Sequence, residues 1–234
     1  MRPRAFPATA FCTAAVLAAA TPATADDVRL QTAHVDRVVL MPTAFSHPRG
    51  TFFVSDVEIA LLQAGYAFAD GSQVTISTVP LPEDIGLAPL DISVKHALYM
   101  DDRVQAAVIG SVTGLLPLDG GGFLGRVGGV ITLCATRACT TSVHMSTNVI
   151  LGGPATIAAN SIGAIVRLSE RTSLLFEADV TIPFSVAVAA TNGLLVSGAW
   201  RFGSRNWGLD LGLGVSDAQG AVIPFFAATH RWLP

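Results

Sequence analysis

Apolar residues along this chain return at every second position, the spacing of a pleated strand with two unlike faces. In RNWGLDLGLGVSD (205–217), Trp207, Leu209, Leu211, Leu213 and Val215 share one side, and Gly208, Asp210, Gly212, Gly214 and Ser216 share the other. From Thr172 to Phe184 the apolar face carries Leu174, Phe176, Val180 and Ile182, while Glu177 and Asp179 fall on the opposite face. The segment 140–151 opposes Val143, Met145, Val149 and Leu151 to Ser142, His144, Ser146 and Asn148. The stretch 91–100 does the same with Ile92, Val94, Leu98 and Met100 against Asp91, Ser93, Lys95 and Tyr99.

Polar turn clusters at 70–72, 101–102, 136–138, 169–171 and 203–206 recur at an interval that fits two strands and a return loop. The opposite connections run through 80–89, 117–122, 152–154, 183–193 and 217–220 and are richer in Pro and Gly. The pattern predicts about ten strands from residue 60 to Trp232. Residues 50–57 make a further strand, for about twelve in all, with ten as the lower count. Two windows free of Asp, Glu, Lys and Arg, 138–166 and 180–200, are long enough for a spanning helix. Gly152-Gly153-Pro154 interrupts one, Pro183 and Asn192-Gly193 the other, so both read as strands.

Composition decides what surrounds these strands. Charged residues make up 13% of the chain and hydrophobic ones 51%, with a mean hydropathy of +0.54. A soluble domain carries about 25% charged residues. Much of the outer surface is therefore expected to meet lipid, and only a helix or a closed barrel satisfies its backbone there. The fold expected is all-β: a transmembrane antiparallel up-and-down barrel, apolar side chains outward and small or polar ones in the lumen. A secreted, water-soluble β-barrel around an apolar ligand is the competing architecture, with the faces reversed.

The first 25 residues place Arg2 and Arg4 ahead of an Ala-rich apolar run that ends in Ala23-Thr24-Ala25, the order of a cleaved secretory signal peptide. Residues 26–49 are expected as a polar periplasmic lead-in with one short strand at 37–40, and the barrel as 50–234. The mature chain would hold 12 basic and 17 acidic residues, Lys95 its one lysine, which leaves no basic footprint for nucleic acid.

The leader, the hairpin repeat and the final strand AVIPFFAATHRW resemble a bacterial outer-membrane β-barrel. That resemblance implies an outer-membrane location, membrane lipid as a partner and recognition of the last strand by the assembly machinery, although Leu233 and Pro234 follow Trp232. MPTAFSHPRGTFF and AGYAFADGSQVTI resemble the start of a group of uncharacterised outer-membrane barrels.

With the apolar face outward, Lys95, Arg126, His144, Arg167, Glu177, Asp179, Arg201, Asp210 and Arg231 point into the lumen. The set has both signs, so the lumen is either a plug of mutual ion pairs, Arg against Glu177 and Asp179, or a pore with a mixed-charge wall; the plug is the expectation. His144 and Ser146 share one strand face at the spacing that outer-membrane phospholipases and lipid A deacylases use for a His–Ser pair, but Thr147 stands where those families place Asn. This is the alternative catalytic site. Cys134 and Cys139 flank a four-residue turn; a disulfide and two buried thiols are both open readings. No cofactor or metal is expected: two cysteines do not complete a zinc site, and His34, His47, His96 and His230 suggest nothing jointly. GGGFLGRVGG lacks the Lys-Ser/Thr end of a phosphate loop. VPLPEDIGLAP is an exposed loop without an identifiable protein partner. The function expected is a structural or small-solute channel role.

Overall fold

Period-two patterning, tight polar turns and closure without an edge give one barrel. The computed structural model describes residues 32–57, 61–79, 88–116, 123–152, 155–183, 193–217 and 220–234. Its strands are β1 (Phe52–Val57), β2 (Leu61–Ala69), β3 (Ser72–Thr78), β4 (Ala88–Met100), β5 (Val104–Leu116), β6 (Phe123–Cys134), β7 (Thr141–Gly152), β8 (Ala155–Arg167), β9 (Thr172–Pro183), β10 (Gly193–Gly203), β11 (Trp207–Ser216) and β12 (Val222–Trp232). Every strand is antiparallel to its sequence neighbours, and β1 closes on β12 with Phe53 opposite Arg231. The count is twelve, not ten. The leader, the centre of the 80–89 loop and Gly120-Gly121-Gly122 lie outside the described residues.

Side-chain direction follows the alternation. Val112, Val127, Ile162, Leu213 and Val215 are exposed outward, Leu213 by 58%, while their neighbours in sequence face the interior. So much exposed aliphatic surface suits hydrocarbon and not water. The soluble architecture, which needs the reverse, does not describe this chain. At the tight-turn end, Phe52, Tyr66, Phe68, Trp207 and Trp232 face outward as an aromatic girdle, Phe52 and Trp232 with ring centroids 5.4 Å apart. Cys134 and Cys139, with Cα atoms 4.8 Å apart, are joined by a disulfide across the β6–β7 turn.

The segment expected as a polar lead-in outside the barrel is, from residue 32 onward, inside it. Ala33, Val35, Val38, Val39, Met41, Ala44 and Phe45 are buried, as are His34 and His47. Arg37 bridges to Pro42, Thr43 N–H donates to Asp36 C=O and Val38 N–H to Met41 C=O, so the expected strand at 37–40 is instead the tip of a narrow hairpin. The hairpin rises from the tight-turn end, where Ala33 N–H bonds Ser204 C=O, turns at Val38–Met41 and descends to Gly50. Gly50, at φ +85°, reverses the chain into β1. The physical reason for the correction is burial: Val38, Val39 and Met41 of the apolar run 38–41 are covered inside the barrel, where the periplasm would leave them in water.

This insertion explains Gly208 on the inner face of β11 and Gly163 on that of β8. A Cβ on Gly208 would stand 3.1 Å from the His34 ring, and one on Gly163 of β8 would stand 2.8 Å from Met41 Sδ and 3.2 Å from Val38 Cγ1. Those glycines clear the path of the hairpin. Gly163→Val should overpack this contact at a cost of about 1–3 kcal/mol, lowering the temperature at which the compact form converts to the unfolded one on a detergent gel. An unchanged midpoint would show that the hairpin does not press on β8.

Candidate functional site

Charged groups of the wall, Glu177, Arg201 and Lys95, hold the hairpin by its backbone. Glu177, on the inner face of β9, accepts from three successive amides at the tip: Val39 at 2.8 Å, Leu40 at 3.0 and 3.1 Å, and Met41 at 2.9 Å. A turn that presents consecutive N–H groups to one carboxylate is an anion-binding concavity. On the carbonyl side, Arg201 of β10 uses all its donors. Nε and Nη2 grip the two oxygens of Asp210 at 2.8 Å each, while Nη1 and Nη2 reach His34 C=O (2.9 Å), Arg37 C=O (3.2 Å) and Val38 C=O (2.6 Å). The strand register puts Arg201 directly opposite Asp210.

Lys95 of β4 donates to the carbonyls of Phe45 and Thr43 (3.3 Å) on the descending arm. Arg231 of β12 binds Arg205 C=O and reaches His47 Nδ1 at 3.2 Å. The hairpin's own polar side chains complete the network. Arg37 donates to Thr229 at 2.8 Å, and Asp36 accepts from Gln73 at 3.1 Å and lies 3.6 Å from His47 Nε2.

His34 Nδ1 stands 2.8 Å from Asp210 Oδ2, and its Nε2 faces Arg37 Nη2 at 3.4 Å. Burial lowers the imidazole from its ordinary 6.5 to about 4; Asp210 opposes the shift, and Arg37 and Arg201 add to it. The neutral ring then donates to Asp210 and accepts from Arg37. Burial is also the first cause of the lowered His47, which Asp36 opposes and Arg231 and Lys95 reinforce.

All nine charged or imidazole side chains expected in the lumen lie on the inner face, but their partners differ from the expectation. Glu177 is not paired with an arginine of the wall; its carboxylate is saturated by hairpin amides. Arg201–Asp210 is the wall-to-wall ion pair among the described residues. Asp179 lies two residues along from Glu177 on the same inner face, Arg126 lines a cavity above the hairpin, and Arg167 caps the β8–β9 turn through the carbonyls of Ser169 (2.9 Å) and Glu170 (2.9 Å). Of the four histidines read as unrelated, His34 and His47 belong to one network, whereas His96 bonds Ser72 (2.8 Å) and His230 lies outside against Trp232.

The His144–Ser146 pair is not assembled. Both are buried, but His144 Nδ1 meets Thr132 Oγ1 at 2.8 Å and Nε2 meets Ser142 Oγ at 2.8 Å, and Phe45 of the hairpin packs edge-on against the ring. Thr132 in turn accepts from Ala44 N–H at 2.9 Å. Alternation put His144 and Ser146 on one face, and the cross-strand neighbour Thr132 took the bond that catalysis would need. The groups that sequence reasoning missed are His34, Asp36, Arg37 and the amides of Val39–Met41. Their signal was the apolar run 38–41 together with glycines on inner faces where a filled barrel would carry larger side chains.

Above the tip lies a cavity of about 510 Å³. Val39 and Leu40 form part of its floor, and Asp91, Ser93, Lys95, Ser111 and Arg126 part of its wall.

The closed twelve-strand barrel and its apolar exterior together define a bacterial outer-membrane β-barrel. No protein-family model and no curated protein matches the sequence. Among solved structures the chain is similar to a KdgM porin in complex with disordered oligogalacturonate, with TM-score 0.57 and 8% identity over 79% of this chain and 98% of that one. It is also similar to a second KdgM porin structure, with TM-score 0.54, 7% identity and the same coverage. At those identities the likeness is one of fold.

Two outcomes test the network. Arg201→Ala leaves Asp210 and three hairpin carbonyls buried without their donor, and should cost about 3–5 kcal/mol in urea unfolding; a loss under 1 kcal/mol would mean that the pair is solvated. Acidification acts through His34. With its docked pKa near 4 and 6.5 when undocked, the undocked state binds more protons between those values, so docking is fully favoured above 6.5 and weakens as pH falls toward 4. The melting temperature of the compact form should fall over that range, and His34→Gln should flatten the fall; parallel profiles for the two proteins would contradict this.

Proposed function

We propose that the protein is an outer-membrane channel for small solutes whose path is closed by its own N-terminal hairpin. The observation that carries this reading is the way the hairpin is held. The wall grips it through backbone amides and carbonyls and through one removable ion-pair system, while the lumen above it stays open as a polar cavity of about 510 Å³. The hairpin packs Val38, Val39 and Met41 against Leu175, Ala199, Phe225 and Ala227, but its backbone is held by charged wall groups, and withdrawing it leaves those groups for water to solvate. A twelve-strand barrel lies between side-chain-filled eight-strand barrels and the aqueous sixteen-strand porins, a size at which one hairpin decides between open and shut. The fold shared with the KdgM porins supports the reading. Trp232, outward at the end of β12, supports recognition of that strand during assembly.

Planar-bilayer recording tests it. The intact protein should be nearly silent, and a variant lacking residues 32–46 should show discrete, stable openings at the same protein concentration. Silence of the deletion variant, with its compact gel form retained, would remove the channel reading and leave a structural role. The lipid-hydrolase reading predicts that Ser146→Ala abolishes an esterase activity; the bonds of His144 to Ser142 and Thr132 predict no such activity to lose.

A further inference from the structure

Five charged side chains among the described residues line the cavity above the hairpin: Asp36, Arg37, Asp91, Lys95 and Arg126. Three of them are committed to seating the hairpin. Lys95 holds the carbonyls of Thr43 and Phe45, Arg37 donates to Thr229 and to Gln63, and Asp36 accepts from Gln73. That leaves one acid and one base, Asp91 on β4 and Arg126 on β6.

The strand register keeps these two apart. Asp91 stands opposite Thr113 and Arg126 opposite Ser111, so β5 runs between them and they lie on a diagonal across its inner face. Two strand spacings and two residues along give about 12 Å between their Cα atoms on a flat sheet. Among the described residues no ion pair joins them, and each keeps bonding capacity for the cavity. Asp91 takes one bond, from Thr113 Oγ1 to Oδ1 at 2.6 Å. Arg126 makes none among the described residues, and its Nε is buried without an acceptor. A buried N–H of a permanent cation calls for an acceptor, and the wall beside it offers hydroxyls: Ser111 faces Arg126, and Ser93 faces Ser111.

The two poles select a ligand by its charges. A guanidinium fork matches a carboxylate, and the Asp91 carboxylate matches an ammonium. A plain anion would leave Asp91 unanswered and a plain cation would leave Arg126 so; a zwitterion answers both. The floor adds an apolar element, because Leu40 is 48% exposed although it sits inside the barrel. The volume of about 510 Å³ falls within the roughly 300–1,000 Å³ of small-molecule sites.

We infer that the cavity binds an amino acid with an apolar side chain, its carboxylate on Arg126 and Ser111, its ammonium on Asp91 and its side chain toward Leu40. As the solute of a channel, such a ligand depends on the conducting role proposed above; as a ligand of the barrel it is detected without any current.

Isothermal titration calorimetry on the full chain in detergent micelles at neutral pH tests the site with three probes that share one aliphatic body. They are L-leucine, isocaproate, which lacks the ammonium, and isoamylamine, which lacks the carboxylate. L-Leucine should bind, and loss of either charged end should weaken binding about tenfold or more, the worth of one charge-assisted bond. Arg126→Gln and Asp91→Asn should each weaken leucine by a similar factor while the compact gel form persists. Absence of heat with leucine, or isocaproate binding as tightly as leucine, would overturn the inference. The three-ligand comparison on the unaltered protein decides the matter even where a variant fails to reach the compact form. Leucine binding to a barrel that stays silent after deletion of residues 32–46 would keep the site and remove the channel. A barrel that conducts after that deletion but does not bind leucine would keep the channel and remove the site.

Discussion

A backbone turn buried in a protein interior must find partners for every N–H and C=O, and the lumen of this barrel is organised around that requirement. Glu177 takes the amides of Val39, Leu40 and Met41, and Arg201 the carbonyls of His34, Arg37 and Val38, so one acid and one base on adjacent strands satisfy the tip and the arm that leads into it. Neither would be stable there alone. Asp210 neutralises Arg201 and receives His34, and the wall and hairpin are each the other's solvation.

This view changes what a mixed-charge inner face means. Charges of both signs on facing strands suggest cross-wall ion pairs, yet only Arg201 and Asp210 make one among the described residues. Lys95 and Glu177 have no such mate in the wall because their partners are peptide groups. Peptide dipoles carry no formal charge and leave no trace in a count of acids and bases.

The barrel itself was legible from period-two patterning, turn spacing and the shortage of charge, and each inward residue followed from the same alternation. The hairpin was not. Residues 26–49 have no long period, and the run Val38–Met41 is too short to announce an element, so its burial depends on strands far away in sequence. Gly208 and Gly163 carried a readable hint. An inner face that lacks side chains in a barrel of this width has to be filled by something else, and the nearest spare chain precedes β1. His144 and Ser146 show the opposite failure: spacing along one strand says nothing about which cross-strand neighbour, here Thr132, claims the imidazole.

Hydrogen–deuterium exchange on the full chain in detergent micelles measures the hairpin most directly. The account predicts that the amides of Val39, Leu40 and Met41 are protected to the level of the β9 amides, and that Glu177→Gln lowers their protection while β5 and β6 keep theirs. Exchange of those three amides at the rate of an unstructured peptide, in a barrel whose strands stay protected, would contradict it.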